Sequence, residues 1–121
     1  MQYKYLFSIM LFVLIFTSCT NDSPGDLIEN TQIIGQVKYN QNIKPIIDNN
    51  CISCHGVVPT NGAPMSMVNY AQVKDSYLNN GLLDRIQRQN GDGLLMPQGG
   101  PRLPQNTIDV FVQWNADGLL E

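Results

Sequence analysis

The pentapeptide Cys51-Ile52-Ser53-Cys54-His55 constrains this chain more than any other feature. Two thiols with two residues between them and an imidazole directly after is the spacing by which a c-type haem is attached. Each thiol can add across one vinyl group of the porphyrin, and the short tether leaves the next side chain beneath the iron. His55 is that side chain, and it is the only histidine in the chain. The proximal ligand therefore has no rival, and a bis-histidine iron cannot be made from this chain alone. Other readings of the same residues fit less well. A zinc site needs about four ligands, and beyond Cys51, Cys54 and His55 the sequence offers only the remote Cys19 or carboxylates. A thioredoxin-like redox pair sits within a βαβ pattern, and no strand and helix alternation is visible. A disulfide, or two buried thiols beside an idle histidine, explains the residue types but not their order.

The start of the chain reads as an export signal. Lys4 is followed by the apolar run Tyr5 to Phe16, shorter than the stretch of about 20 residues a spanning helix needs. Phe16-Thr17-Ser18-Cys19 resembles the lipobox of bacterial lipoproteins, with Phe16 where Leu is commonest. That resemblance implies cleavage before Cys19 and acylation of its thiol, with more than one chain and hence stable anchoring. The competing readings are a plain cleaved signal with an unrelated cysteine, or an uncleaved anchor. Neither explains a thiol placed right after a polar break. The three cysteines then divide into one for lipid and two for haem, leaving none for a structural disulfide.

The expected organisation is a leader over 1–18, a lipid-anchored flexible tether over 19–36 and one small domain over 37–121. The tether is largely polar, with Pro24 and Gly25, and is interrupted by apolar residues such as Ile28, Ile33 and Ile34. Ten acidic residues outweigh seven Lys and Arg, and two haem propionates would deepen the deficit. This balance argues against nucleic acid as a partner, and against docking through a ring of lysines.

Within the domain the periodicities predict helices. The first runs from about Asn42 to the haem motif, with Asn42 as its N-cap and Pro45 in the first turn, where a missing N–H does no harm. Ile43, Ile46, Ile47, Cys51 and Cys54 then share one face. Asn69 is expected to cap a helix over Tyr70 to Asn80 that Gly81 stops, with Tyr70, Val73 and Tyr77 turned inward. A short helix follows from Leu82 to about Gln89, built on Leu82, Leu83 and Ile86. Its Arg85 and Arg88 are each able to pair with a haem propionate, since a guanidinium matches a carboxylate fork. The last helix is expected from Pro104 to Asp117, stopped by Gly118. Ile108, Val110, Phe111, Val112 and Trp114 form its apolar face, Leu103 is spaced to staple onto Ile108, and the helix is expected to cross the first near Ile43 and Ile47.

Between these helices, Gly91 to Pro104 is crowded with glycine and proline and must be a loop of preset shape. Such a loop can hold one side chain still. Met96 is the candidate for the sixth iron position, with Met65 and Met67, shortly after the histidine, as rivals more suited to packing.

A lead helix ending in Cys-x-x-Cys-His, middle helices, a Met-Pro loop and an amphipathic last helix resembles the class I monohaem cytochrome c domain. Ile43-Lys44-Pro45-Ile46-Ile47, Tyr70-Ala71-Gln72-Val73-Lys74 and Trp114-Asn115-Ala116-Asp117-Gly118 are similar to stretches of small membrane-anchored cytochrome c lipoproteins of Bacteroidetes-like bacteria. The resemblance covers about residues 37 to 121 and departs from longer members in lacking a glycine–aromatic pair on the lead helix. It implies an all-α domain wrapped around one covalent haem c, with Cys51 and Cys54 as attachment sites, His55 as proximal and Met96 as distal ligand. Imidazole and thioether ligation raises the potential, and a six-coordinate iron changes oxidation state without exchanging ligands. The implied function is an exported, lipid-anchored carrier of single electrons between redox proteins, not an enzyme. The alternative is a haem-based sensor with a weak or open sixth position. Peroxidase chemistry would want a distal base, for which no second histidine exists.

Overall fold

The computed structural model describes residues 35–121. The expected leader, Cys19 and all of the expected tether except Gly35 and Gln36 lie outside the described residues. Gly35 and Gln36 are exposed, and the core begins at once with the fully buried Val37. Four α-helices follow: α1 (Lys44–Asn50), α2 (Tyr70–Asn79), α3 (Leu82–Gln87) and α4 (Gln105–Ala116). Among the described residues there is no sheet, only one parallel bridge between Lys38 and Leu120. The all-α expectation is met, and none of these helices is long and apolar enough to cross a membrane.

The entry into α1 differs from expectation. Helical turning begins at Tyr39, with a π-helical turn over Tyr39–Ile43 that leads into α1. Ile43 N–H reaches back to the Lys38 carbonyl and Lys44 N–H to that of Tyr39, each five residues away. A proline collides with the carbonyl four residues behind it in a regular helix; a wider turn ahead of Pro45 relieves that conflict. Asn42 is consequently inside the turn and is not the N-cap. Its Oδ1 accepts the Lys38 N–H at 2.9 Å, closing the turn from within. At the other end α1 stops at Asn50, and the cysteine motif continues it as separate turns, with Cys54 and His55 N–H both donating to the Cys51 carbonyl.

Local signals place the remaining helices. Asn69 Oδ1 accepts the Gln72 N–H at 3.0 Å and starts α2, and Gly81, in the left-handed region at φ 70°, separates α2 from α3. Pro104 stands at the start of α4 without a capping side chain, and Leu103 and Ile108 are both buried as a staple requires. Gly118, at φ 88°, turns the chain out of α4 so that Leu119 N–H meets the Trp114 carbonyl. Ile108, Phe111 and Trp114 are buried at spacings of three, whereas Val112 lies on the outer face at 44% exposure. Three-residue spacing gives α4 a narrower buried stripe than the expected face, and Val112 falls beyond its edge.

One end of the core is aromatic. Trp114 meets Tyr39, Tyr70 and Tyr77 with ring centroids 6.3, 6.3 and 5.9 Å away, and Tyr39 meets Tyr70 at 5.5 Å. Edge contacts of this kind stabilise by about 0.5–1.5 kcal/mol beyond simple burial. Here α4 packs on Tyr39–Ile43, so the crossing lies at Ile43 and the turn before it. Tyr39 and Trp114 supply the aromatic contact that the lead helix lacks. The chain's last residues seal this end: Trp114 Nε1 donates to the Leu120 carbonyl, Tyr70 hydroxyl to that of Leu119, Tyr39 N–H to that of Leu120, and Val37 N–H to Asp117.

Candidate functional site

At the other end, all four helices and two loops leave a cavity of about 370 Å³, within the range of cofactor pockets. The cysteine motif forms one part of its wall, with Cys51, Cys54 and His55. Met65 and Met67 come from the loop that follows, and Leu94, Met96 and Pro97 from the glycine- and proline-rich loop. The described residues expected to attach a haem or ligate its iron thus line one space. Ile47, Leu82, Ile86, Leu103 and Phe111 make its apolar lining, so it is continuous with the core.

Backbone hydrogen bonds fix the histidine. His55 Nδ1 lies 2.8 Å from the Met65 carbonyl, and a carbonyl can only accept, so Nδ1 carries the proton. In the neutral ring Nε2 then holds the lone pair, which is the tautomer a metal ligand requires. The His55 carbonyl in turn accepts the Met67 N–H at 2.8 Å. Met65 and Met67 are therefore strapped to the histidine itself. Met67 is buried, and its sulfur accepts a 3.9 Å contact from the hydroxyl of Ser76, the buried polar residue of α2.

Met96 comes from a different quarter. Its N–H donates to the Arg85 carbonyl at 3.1 Å, which ties the loop to α3, and Leu95 beside it is buried. The loop is held at its start by Asp92, whose Oδ1 accepts the Leu94 N–H and whose Oδ2 meets Arg88. That backbone N–H and then the guanidinium hold the Asp92 carboxyl below the usual carboxylate range. The Met96–Pro97 peptide is cis.

Cys51 and Cys54 are both free and partly buried. Burial pushes the Cys51 thiol up to about 11, so it stays protonated and apolar in character. The sulfur of Cys54 faces the Asn61 amide at 3.4 Å. Of the two arginines, Arg88 is committed to Asp84 and Asp92, at 2.9 and 3.0 Å, and does not line the cavity. Arg85 does, as its one charged side chain.

This donor set fits a covalent haem: two uncrosslinked thiols, an imidazole with Nε2 available, thioethers on separate walls, an apolar lining and one guanidinium. It does not fit zinc, since among the described residues no three His, Cys, Asp or Glu side chains converge on a point. Sequence reasoning misses the Met65 carbonyl and Ser76, because a backbone acceptor and a lone buried serine carry no signal in a sequence. Comparison with protein-family models, with curated proteins and with solved structures finds no match.

Proposed function

We propose that this chain is a class I monohaem cytochrome c domain, exported and lipid-anchored through Cys19, that carries single electrons between redox proteins at a membrane face. One observation carries the reading: Cys51, Cys54, His55 and Met96 line a single apolar cavity, and the Met65 carbonyl holds His55 in its ligating tautomer. When bound, the haem supplies a one-electron iron couple. Cys51 and Cys54 are the thiols that would hold it through thioether links, an S–H addition that needs no oxidant. His55 Nε2 and the Met96 thioether would ligate its iron. Met65 and Met67 are bound to the backbone of His55 and serve the histidine's side of the site, which favours Met96 over both. Arg85, which lines the cavity, would pair with a propionate, and Arg88 is already held by two carboxylates. Ile47, Leu82, Ile86 and Phe111 would keep water from the bound group, which would lower the reorganisation that electron transfer demands.

The test is an absorption spectrum of the chain made in a host with cytochrome c maturation machinery, in both oxidation states and then with carbon monoxide. Covalent low-spin haem that ignores carbon monoxide is expected, with the weak sulfur-to-iron band lost in Met96→Ala but kept in Met65→Leu and Met67→Leu. High-spin iron or ready carbon monoxide binding in the unmutated chain would favour the sensor. Absence of covalent haem would overturn the proposal.

A further inference from the structure

The two thiols of the motif are held in different ways. Cys51 packs against the apolar core, whereas Cys54 lies off it. A thiol on a short side chain can occupy any of three staggered rotamers, and where packing does not choose among them something else must. At Cys54 the sulfur meets a polar side chain, the Asn61 amide, whose Nδ2 donates at 3.4 Å, with the Ser53 hydroxyl farther off at 4.0 Å. Both Cys54 and Asn61 line the cavity.

The backbone that carries Asn61 is fixed to the backbone that carries Cys54. Thr60 to Ala63 closes as a turn, with Ala63 N–H on the Thr60 carbonyl at 2.9 Å and positive φ at both central residues, 52° for Asn61 and 78° for Gly62. Asn-Gly is a favoured pair for such a turn. Thr60 then fastens the turn to the motif: its N–H donates to the Cys54 carbonyl at 2.9 Å and its hydroxyl to that of Ser53 at 3.1 Å. Shape alone would be served as well by glycine, which enters the left-handed region without steric cost; asparagine adds an amide. The chain has two further Asn-Gly pairs, at 80–81 and 90–91. There the Asn80 amide donates to Asp75 and the Asn90 side-chain oxygen accepts the Arg102 N–H, so each fastens only its own surroundings. Of the three, Asn61 alone reaches a thiol.

We infer that Asn61 is a positioning residue for haem attachment: its amide holds the Cys54 sulfur at the cavity wall, in place of the core packing that serves Cys51. The inference rests on the cytochrome reading and deepens it. The link concerned is an S–H addition across a carbon–carbon double bond, in which one S–C and one C–H bond replace the S–H bond and the π bond, with no oxidant or reductant consumed.

The test uses the full chain made in a host with cytochrome c maturation machinery. Asn61→Gly keeps the turn and removes the amide, and Asn61→Asp keeps the shape and replaces the N–H donor with a carboxylate oxygen. Each is expected to raise the fraction of chains linked through Cys51 alone by about two- to tenfold, the scale of one net hydrogen bond. Alkylation, digestion and mass spectrometry locate the unlinked thiol. The pyridine haemochrome counts the same chains, because its absorption maximum moves to longer wavelength when one vinyl group is left unreacted. Cys54→Ser supplies the reference spectrum for a single link, and Asn90→Gly should keep both links. The loss must fall on Cys54 and in both Asn61 variants. Unlinked Cys51 and Cys54 in equal measure, or a lower haem yield with an unchanged ratio, is what a merely structural residue would give, and either would overturn the inference. An effect in Asn61→Asp alone would trace to the new carboxylate, and one in Asn61→Gly alone to side-chain shape; each would overturn it too. Absence of covalent haem from the unmutated chain sinks the cytochrome reading and this inference together. Two intact links in both Asn61 variants sink the inference alone.

Discussion

The two ends of this domain solve the same packing problem in opposite ways. At the Trp114 end four aromatic rings interlock, and the polar groups of the final residues are taken up by backbone and side-chain partners. At the Cys51 end thiols, thioethers and aliphatic side chains surround a space that no side chain fills. Interiors normally pack to the density of organic crystals. This domain closes one end tightly and keeps a cavity of about 370 Å³ at the other, so its interior is divided into a packed half and an open one. The difference teaches where stability and function reside: the aromatic end holds the fold, and the hollow end is shaped by loops strapped to it.

The largest expected break in that contrast is Trp114→Ala. It removes a fully buried ring and the donor to Leu120, and truncations of this kind cost about 3–5 kcal/mol. Chemical denaturation should show a loss of that size with or without haem, whereas Met96→Ala, at a half-open wall, should cost the haem-free chain under about 1.5 kcal/mol. A smaller loss for tryptophan than for methionine would invert the assignment of the two ends.

Gly56→Ala comes next. The added carbon at 2.9 Å from the Ile52 carbonyl forces backbone to shift, at about 1–3 kcal/mol. The damage should be local to the hollow end, lowering the yield of covalent haem while near-ultraviolet signals of the aromatic cluster persist. Asn69→Ala, which removes the cap of α2, is expected to cost about 1 kcal/mol. Because α2 contributes Tyr70 and Tyr77 to one end and Ser76 to the other, this loss should be felt equally in both sets of probes.

The smallest effect is acidification through Asp92. Its folded carboxyl sits below the usual range, so its contribution to stability is fully present above the unfolded carboxylate value and is lost as pH falls through the folded value. The exposed position makes the effect small. It should register as loosening of Leu94 and Met96 in amide exchange before global unfolding, and Asp92→Asn should flatten the pH profile. Identical acid responses in the two proteins would remove Asp92 from the account.

Legibility in the sequence follows the range of the interaction. Asn69, Gly81, Pro104 and Gly118 stand where expected because caps and stops act over a few residues. Val37 and Tyr39 give no such signal, because what buries them is Trp114 and the chain's last residues, contacts that have no local pattern. The first helical turn precedes Asn42 because a wide turn before a proline satisfies the same sequence as a capped helix. Cys51, Cys54, His55 and Met96 are readable from residue type and spacing, since the chemistry they offer does not depend on how the chain folds. That Arg85 lines the cavity and Arg88 does not has no sequence signal, since both follow Asp84, one within α3 and one just past its end, and Arg88 is held by Asp92 further along the chain.

The bridge between Lys38 and Leu120 also has a mechanical meaning. The chain enters the domain where it ends, with Val37 bonded to Asp117 and Tyr39 to Leu120. A pull on the segment before Gly35 is therefore shared first with the end of α4, as shear along a parallel pair, before it can travel through α1 to Cys51. Strain would gather at the Lys38–Leu120 bridge, and the half that holds Cys51 would stay slack.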